Sequence, residues 1–268
     1  MQAVVKLEQN QGVATLTLNR PQVLNTLNED MAFSLRELLG QVGSDDTVKC
    51  VIIQGAGGNF MAGGDIHAFA ESLQLSPEAQ QEGMLELINI VHDSIRLIRE
   101  MPQPVIAVVS GIVAGFGVSL MAACDLVIAT ENTRFSSAYC QLGVSPDGGN
   151  TYFLPRLIGE KRAKAFTLLG EVLDAHMALS FGLINTIVST DQLTETVQRY
   201  SQRLVIAAQP ALANSKRLLN ASTQNNLEQQ LFAEQLSFTE CTLSPDFAEG
   251  VHAFMAKRKP QFGKKENA

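Results

Sequence analysis

Apolar and polar positions alternate at the start of the chain, where Val13, Leu16 and Leu18 interleave with Thr15 and Thr17. With Val4-Val5-Lys6-Leu7 ahead of Gln11-Gly12, this pattern predicts a β-hairpin closed by Arg20-Pro21. Asn28-Glu29-Asp30 offers an N-cap and an acidic first turn for a helix through about Gln41, and Cys50-Val51-Ile52-Ile53-Gln54 follows as a short apolar strand. A second cycle repeats the order. Residues 84–101 place Met84, Leu87, Ile88, Val91, Ile95 and Ile98 at helical spacing, and Pro104-Val105-Ile106-Ala107-Val108-Val109 reads as a buried strand. Further strands are predicted at Leu126–Ala129 and Ile184–Val188, with helices between, so the first two-thirds is α/β. From about residue 191 the pattern is wholly helical, through Ala211–Leu219, Leu227–Leu236 and Phe247–Lys257. The stretch Ala70–Gly83, rich in Gln, Ser and Glu around Pro77, is expected to be a mobile loop.

Composition narrows the possibilities. With 268 residues, 46% of them hydrophobic, the chain can bury a sizeable core. No segment approaches the roughly 20 apolar residues that span a bilayer, and Met-Gln-Ala-Val-Val-Lys shows no basic region leading into an apolar run, so a cytoplasmic location is expected. Cys50, Cys124, Cys140 and Cys241 are scattered and read as small hydrophobes, while His67, His92, His176 and His252 lack ligand spacing, so no metal is expected. A formal charge of −7 argues against nucleic acid or an anionic membrane as partner, and any anionic ligand must find local donors.

Two glycine-rich segments each follow a predicted strand: Gly55-Ala-Gly-Gly-Asn-Phe-Met-Ala-Gly-Gly64-Asp65, and Ser110-Gly111-Ile-Val-Ala-Gly115-Phe116-Gly117. Either can be a plain tight turn, or the two can aim free N–H groups at one ligand. The second does not suit a dinucleotide, since its glycines run G-x-x-x-G-x-G and no acidic residue lies suitably about 20 positions on.

These segments resemble the crotonase (enoyl-CoA hydratase/isomerase) superfamily in order and spacing. The resemblance rests on Leu18-Asn19-Arg20-Pro21, Asn25-Thr26-Leu27, Phe60-Met61-Ala62-Gly63-Gly64-Asp65-Ile66, Pro104 to Ala107, Ala114-Gly115-Phe116-Gly117 and Cys124-Asp125-Leu126. It continues through Leu142-Gly143, Leu154-Pro155-Arg156, Leu169-Gly170 and Gly182-Leu183, and so covers almost the whole chain. It implies a spiral of strand-strand-helix turns over residues 1–200 and a helical C-terminal oligomerisation region over 201–268, assembling as a homotrimer or as a hexamer of two trimers. The implied substrate is an acyl-CoA thioester, with coenzyme A as part of the substrate and no separate cofactor. The backbone N–H groups of Gly64 and Phe116 would bind the thioester oxygen. Backbone around Val23, Leu24, Ala62 and Ile66 would meet the CoA, and Phe254 and Lys257 would approach it from a neighbouring subunit. Lys257-Arg258-Lys259 can equally be a solvated helix end favoured by the helix dipole, and Asp65 is expected to cap the following helix.

Hydratases of this family use two glutamates, and the same alignment puts Ser119 and Tyr139 in their places. The acid that remains is Asp147, in Leu142-Gly-Val-Ser-Pro-Asp147-Gly-Gly, where it can cap a helix, serve as sole acid/base, or do both. The Gly-x-x-Pro-Asp run and the tail from Glu249 to Phe262 resemble phenylacetate-pathway isomerases of ring-epoxide phenylacetyl-CoA, so a double-bond isomerase is expected before a hydratase. Burial among Val144, Phe116 and Tyr139 would make Asp147 a stronger base; Tyr139 either orients substrate or lines the pocket. Three alternatives stay open: an aspartate-nucleophile dehalogenase or hydrolase with His92 as the partner histidine, a hydratase of non-standard mechanism, and a non-catalytic acyl-CoA binder. His92 also sits at the margin of an apolar helical stripe, where a packed or surface histidine is ordinary.

Overall fold

The computed structural model describes residues 3–263. It opens with the hairpin, β1 (Val5–Asn10) antiparallel to β2 (Val13–Leu18), followed by α1 (Glu29–Gly43), whose N-cap Asn28 accepts from the Met31 N–H. Three similar turns then build two sheets. In the first turn, β3 (Cys50–Gly55) and β4 (Met61–Ala62) precede α2 (Ile66–Ser72) and α3 (Pro77–Glu100). In the second, β5 (Val105–Val109) and β6 (Ile112–Ala114) precede α4 (Phe116–Ala123). The third carries β7 (Leu126–Thr130) and β8 (Arg134–Ser136), then α5 (Asn150–Ile158), α6 (Glu160–Leu168), β9 (Val172–Asp174), α7 (Ala175–Phe181) and β10 (Thr186–Val188).

The first two turns each give one strand to each sheet and the third gives two to each, which is the spiral. The larger sheet runs β1-β2-β3-β5-β7-β10, parallel from β2 onward, and the smaller runs β4-β6-β8-β9. Strand β5 is buried at all five positions because both faces of the sheet are covered, the usual condition of a parallel sheet. Val51, Ile53, Val105 and Ala107 pack in the main core with α1 and α3, while Cys50, Ile52, Ile106, Val108 and Ile128 face the opposite way.

That opposite face is covered by α8 (Leu193–Val205), through Val197, Tyr200 and Leu204. Residue 200 thus lies inside a helix that packs on the sheet. Beyond it come α9 (Gln209–Ala221), α10 (Leu227–Thr242) and α11 (Pro245–Met255). From α9, Lys216 reaches under the sheet, where Nζ is 2.8 Å from Asp125 Oδ2 and donates to the carbonyls of Ile98 (2.8 Å) and Gln103 (2.9 Å). Asp125 Oδ2 also accepts from the Val105 N–H at 2.8 Å, so the pair ties α9 to the entry of β5.

One expectation is overturned. The expected loop over Ala70–Gly83 is largely helical, broken only at Leu73–Ser76 between α2 and α3. Ser76 Oγ accepts from the Ala79 N–H and Pro77 occupies the first helical position, where its missing N–H costs nothing. The residues here are polar because this end of α3 is exposed, not because it is irregular. No helix of the described residues is long and apolar enough to cross a membrane.

Candidate active site

The two glycine segments meet at the smaller sheet. Parallel pairing of β4 with β6 sets Met61 opposite Val113 and Ala62 opposite Ala114, so continuing that register puts Gly63 beside Gly115 and Gly64 beside Phe116. The backbones touch: a Cβ added to Gly115 (φ +52°) would lie 3.3 Å from Gly63 Cα, and Gly63 itself has φ +84°. Only residues without a side chain allow this approach at left-handed φ. A Cβ on Gly64 would lie 2.5 Å from the Phe69 ring, and one on Gly117 would lie 2.5 Å from the Met61 carbonyl oxygen.

The chain bridges Leu27 to Gly64 through the Leu27 N–H to Gly63 O and the Asp65 N–H to Leu27 O, which leaves the Gly64 N–H out of the ladder. Phe116 opens α4, where the first N–H groups have no partner within the helix. Among the described residues neither the Gly64 nor the Phe116 N–H donates a hydrogen bond. Two donors left without a backbone acceptor, one of them at the positive end of a helix, are the kind of groups that can take an anionic oxygen.

Asp147 lies over the first turn of α4. Its carbonyl oxygen accepts from Ser119 Oγ at 2.9 Å, and the next residue, Gly148, crosses the Phe116 ring so closely that a Cβ there would stand 2.8 Å from it. Gly148 (φ +59°) and Gly149 (φ +80°) are both left-handed, which lets the chain fold over the ring before entering α5. Tyr139 Oη donates to Asp147 Oδ1 at 2.6 Å and sits 3.2 Å from Ser119 Oγ; Asn150 Nδ2 donates to that same hydroxyl at 3.4 Å. Behind the loop, the Gly148 N–H donates to His92 Nε2 at 3.2 Å.

Burial raises the Asp147 carboxyl above the ordinary range, although the Tyr139 bond acts in the opposite direction. The surroundings differ from expectation in two respects. Phe116 and Tyr139 are buried, but Val144 is 52% exposed, carried to the surface after the left-handed turn at Gly143 (φ +74°). Nor does the Asp147 side chain cap a helix. Helix α5 begins at Asn150 after Gly149, which has no side chain to cap with, and it is the Asp147 carbonyl that takes the Asn150 N–H at 3.0 Å.

Residues 20–27 run alongside the first glycine segment. Leu24 O accepts from the Ala62 N–H at 3.1 Å, Asn25 Nδ2 donates to the carbonyls of Ala56 and Asn59, and Leu24 and Asn25 have left-handed φ of 54° and 56°. Asp65 caps α2 through the His67 N–H and pairs with Arg20 at 2.8 Å. Burial pushes the Asp65 carboxyl up, but Arg20 and the His67 N–H outweigh it and hold it below the usual range. The structure thus brings Leu24, Ala62, Gly64, Asp65 and Ile66 together, with Leu24 and Ile66 exposed beside the free Gly64 N–H. Phe254 and Lys257 lie elsewhere, at the exposed end of α11, which packs on α10.

Sequence reasoning passes over Arg20 and Asn150 as functional positions. Ser119 carries a visible signal, the one hydroxyl in the otherwise apolar Phe116–Ala123 helix.

A family model described as enoyl-CoA hydratase/isomerase matches residues 8–265. The chain belongs to that family. It is therefore an acyl-CoA-processing enzyme of the enoyl-CoA hydratase/isomerase family, and the fold is the crotonase fold. Among its relatives, a 1,2-epoxyphenylacetyl-CoA isomerase from Escherichia coli (strain K12) is 38% identical over 251 residues, covering 94% of this chain and 95% of that protein. A crotonyl-CoA hydratase from Syntrophomonas wolfei is 35% identical and covers 96% of both chains. A crystal structure of an enoyl-CoA hydratase from Polaromonas sp. JS666 superposes with a TM-score of 0.90 at 33% identity, covering 96% of this chain and 98% of that one. Isomerases and hydratases thus stand together among the relatives.

Proposed function

We propose that this family member is an acyl-CoA isomerase that shifts a double bond from the β,γ to the α,β position, with Asp147 as the single acid/base. The observation that carries this reading is the hydroxyl cluster around Asp147: Ser119 and Tyr139 bond to each other and to Asp147, which is the lone carboxylate in that network among the described residues. A hydratase must activate water and separately manage the α-proton, a task suited to two acid/base groups; a double-bond shift needs one group that moves one proton. The Gly64 and Phe116 N–H groups take the thioester oxygen as negative charge develops on it. Asp147, raised by burial, removes the α-proton and returns it at the γ-carbon on the same face.

The CoA lies along Val23, Leu24, Ala62 and Ile66 in this reading. Exposed apolar residues on the last helices, including Phe232, Phe238, Leu243, Phe254 and Met255, are covered by further copies of the chain in a trimer or a hexamer of trimers, bringing Lys257 to a neighbour's CoA. The name of the Escherichia coli relative makes a ring-derived acyl group the first substrate to test, alongside straight-chain β,γ-enoyl-CoA thioesters. The deciding experiment follows both products by liquid chromatography with ultraviolet and mass detection, since the double-bond isomers share one mass and only hydration adds to it. A shifted double bond without added water supports the reading, and hydration of α,β-enoyl-CoA as the sole reaction overturns it. Light scattering tests the assembly, and a monomer at working concentration refutes it.

A further inference from the structure

We infer that His92 is a positioning residue for this reaction: a hydrogen-bond acceptor on α3 that holds the peptide carrying Asp147, not an acid, base or partner of a nucleophile. The inference rests on the reading of Asp147 as the acid/base.

The geometry is specific to one peptide unit. The Asp147 carbonyl is held on the α4 side by Ser119 Oγ (2.9 Å) and on the α5 side by the Asn150 N–H (3.0 Å). The next N–H along the chain, that of Gly148, donates to His92 Nε2 at 3.2 Å. The side chain is fixed separately by Tyr139 Oη at 2.6 Å. Groups from different parts of the fold therefore grip the Asp147–Gly148 segment, and His92 is the one that reaches it from α3, a 24-residue helix anchored by buried Ile90, Val91, Ser94, Ile95 and Ile98.

The segment needs such a grip because two left-handed glycines follow the aspartate, and glycine restrains the backbone less than any other residue. To accept this bond Nε2 must carry its lone pair, which places the ring proton on Nδ1. In that state Nε2 is occupied by the backbone and is not free to take a proton from substrate or water. Losing the acceptor leaves the Gly148 N–H without its partner and frees the carboxylate to shift. A displacement of about 1 Å between reacting groups can cost about 100-fold in rate.

The test compares His92→Leu, which removes the acceptor, with His92→Gln, which supplies a carbonyl oxygen of similar reach. Steady-state isomerisation of a β,γ-enoyl-CoA is measured with the intact oligomer. His92→Leu should lower kcat about 10- to 100-fold with KM changed less than about threefold, because CoA contacts are untouched. His92→Gln should recover most of kcat. Wild-type kcat in His92→Leu, or an equal loss in His92→Gln, overturns the positioning role; the second outcome would mean that the imidazole itself takes part. Should His92→Leu fold poorly, hydrogen exchange by mass spectrometry on His92→Ala supplies the readout. Faster exchange of the peptide containing Gly148 supports the inference, and unchanged exchange refutes it. Asp147→Asn in the same assay separates the failures: if it keeps full turnover the reading of Asp147 as the acid/base falls, and if it is inactive while His92→Leu is not, only the role of His92 falls.

Discussion

Tyr139 points its hydroxyl at Asp147, with Oη 2.6 Å from Oδ1, while Ser119 Oγ stands 3.2 Å from that same oxygen of the phenol. Burial, together with the neighbouring carboxylate, holds the phenol well above its usual range, so it remains a neutral donor wherever the enzyme works. The bond occupies one carboxylate oxygen, so in the proposed isomerisation the other would meet the proton on carbon. It also favours the ionised form of a group that burial pushes toward neutrality.

Tyr139→Phe should therefore act on proton transfer more than on binding. With the donor gone, the Asp147 carboxyl rises further, and the acid limb of the kcat profile should move to higher pH, with maximal kcat about tenfold lower. Titrating kcat in wild type and variant checks the direction. A limb that stays in place or moves toward acid would sever Tyr139 from the base.

Asp147→Asn keeps size and can still accept from Tyr139, but it cannot take a proton. Isomerase kcat should fall about 10²- to 10⁴-fold with CoA affinity nearly unchanged. Stability should move the opposite way. A carboxyl raised in the folded state destabilises the fold where it is ionised in both states, so that cost is complete above the folded value and disappears as pH falls through it toward the unfolded one. The Asn variant should melt higher than wild type at neutral pH, and the gap should close on acidification. Calorimetry at several pH values measures both arms.

Gly64→Ala tests the oxygen site without touching the acid. The added methyl carbon would lie 2.5 Å from the Phe69 ring, so either that ring or the Gly64 peptide must shift. Displacing one donor should lower kcat about 10²- to 10³-fold. Adding Phe69→Ala makes room for the methyl group and should restore part of the rate. Failure of the second substitution to rescue would place the damage elsewhere than at the N–H.

Lys216→Met should cost about 3–5 kcal/mol, because it strips the partner from the part-buried Asp125 rather than replacing the pair. Urea unfolding gives the value directly. A loss under about 1 kcal/mol would show the pair to be no more than a surface contact.

Much of the larger sheet is legible in the sequence because β2, β3, β5 and β7 each carry an uninterrupted apolar or alternating run between turn signals. The smaller sheet is not. Strands β4, β6, β8 and β9 have two or three residues each, too few for any period to show, and exist only because distant segments pair. The start of α3 is hidden for another reason: Ser76-Pro77 is both a helix opening and a chain breaker, and the exposed polar turns after it lack an apolar stripe.

At the site, Gly64, Phe116 and Asp147 stand out from their loops and from the family resemblance. Their register does not, since it depends on the pairing of Ala62 with Ala114 across the smaller sheet. The same holds for the hydroxyl cluster. Ser119 and Asp147 are 28 positions apart, and His92 and Gly148 are 56 apart, so no local pattern links them.

The tie between Lys216 and Asp125 has a consequence for biosynthesis. Among the described residues all ten strands are complete by residue 188, yet the Lys216 ammonium that pairs with the aspartate at the mouth of β7 is translated only afterwards, on α9. A nascent chain can thus carry every strand of the spiral while Asp125 still lacks the Lys216 ammonium, with Arg99 of α3 a further cation near it, and such a chain should be less resistant to proteases than one that includes α9. Stalled chains ending at residue 210 should be digested readily, whereas chains released through residue 226 should resist, and equal resistance would show that the spiral closes without waiting.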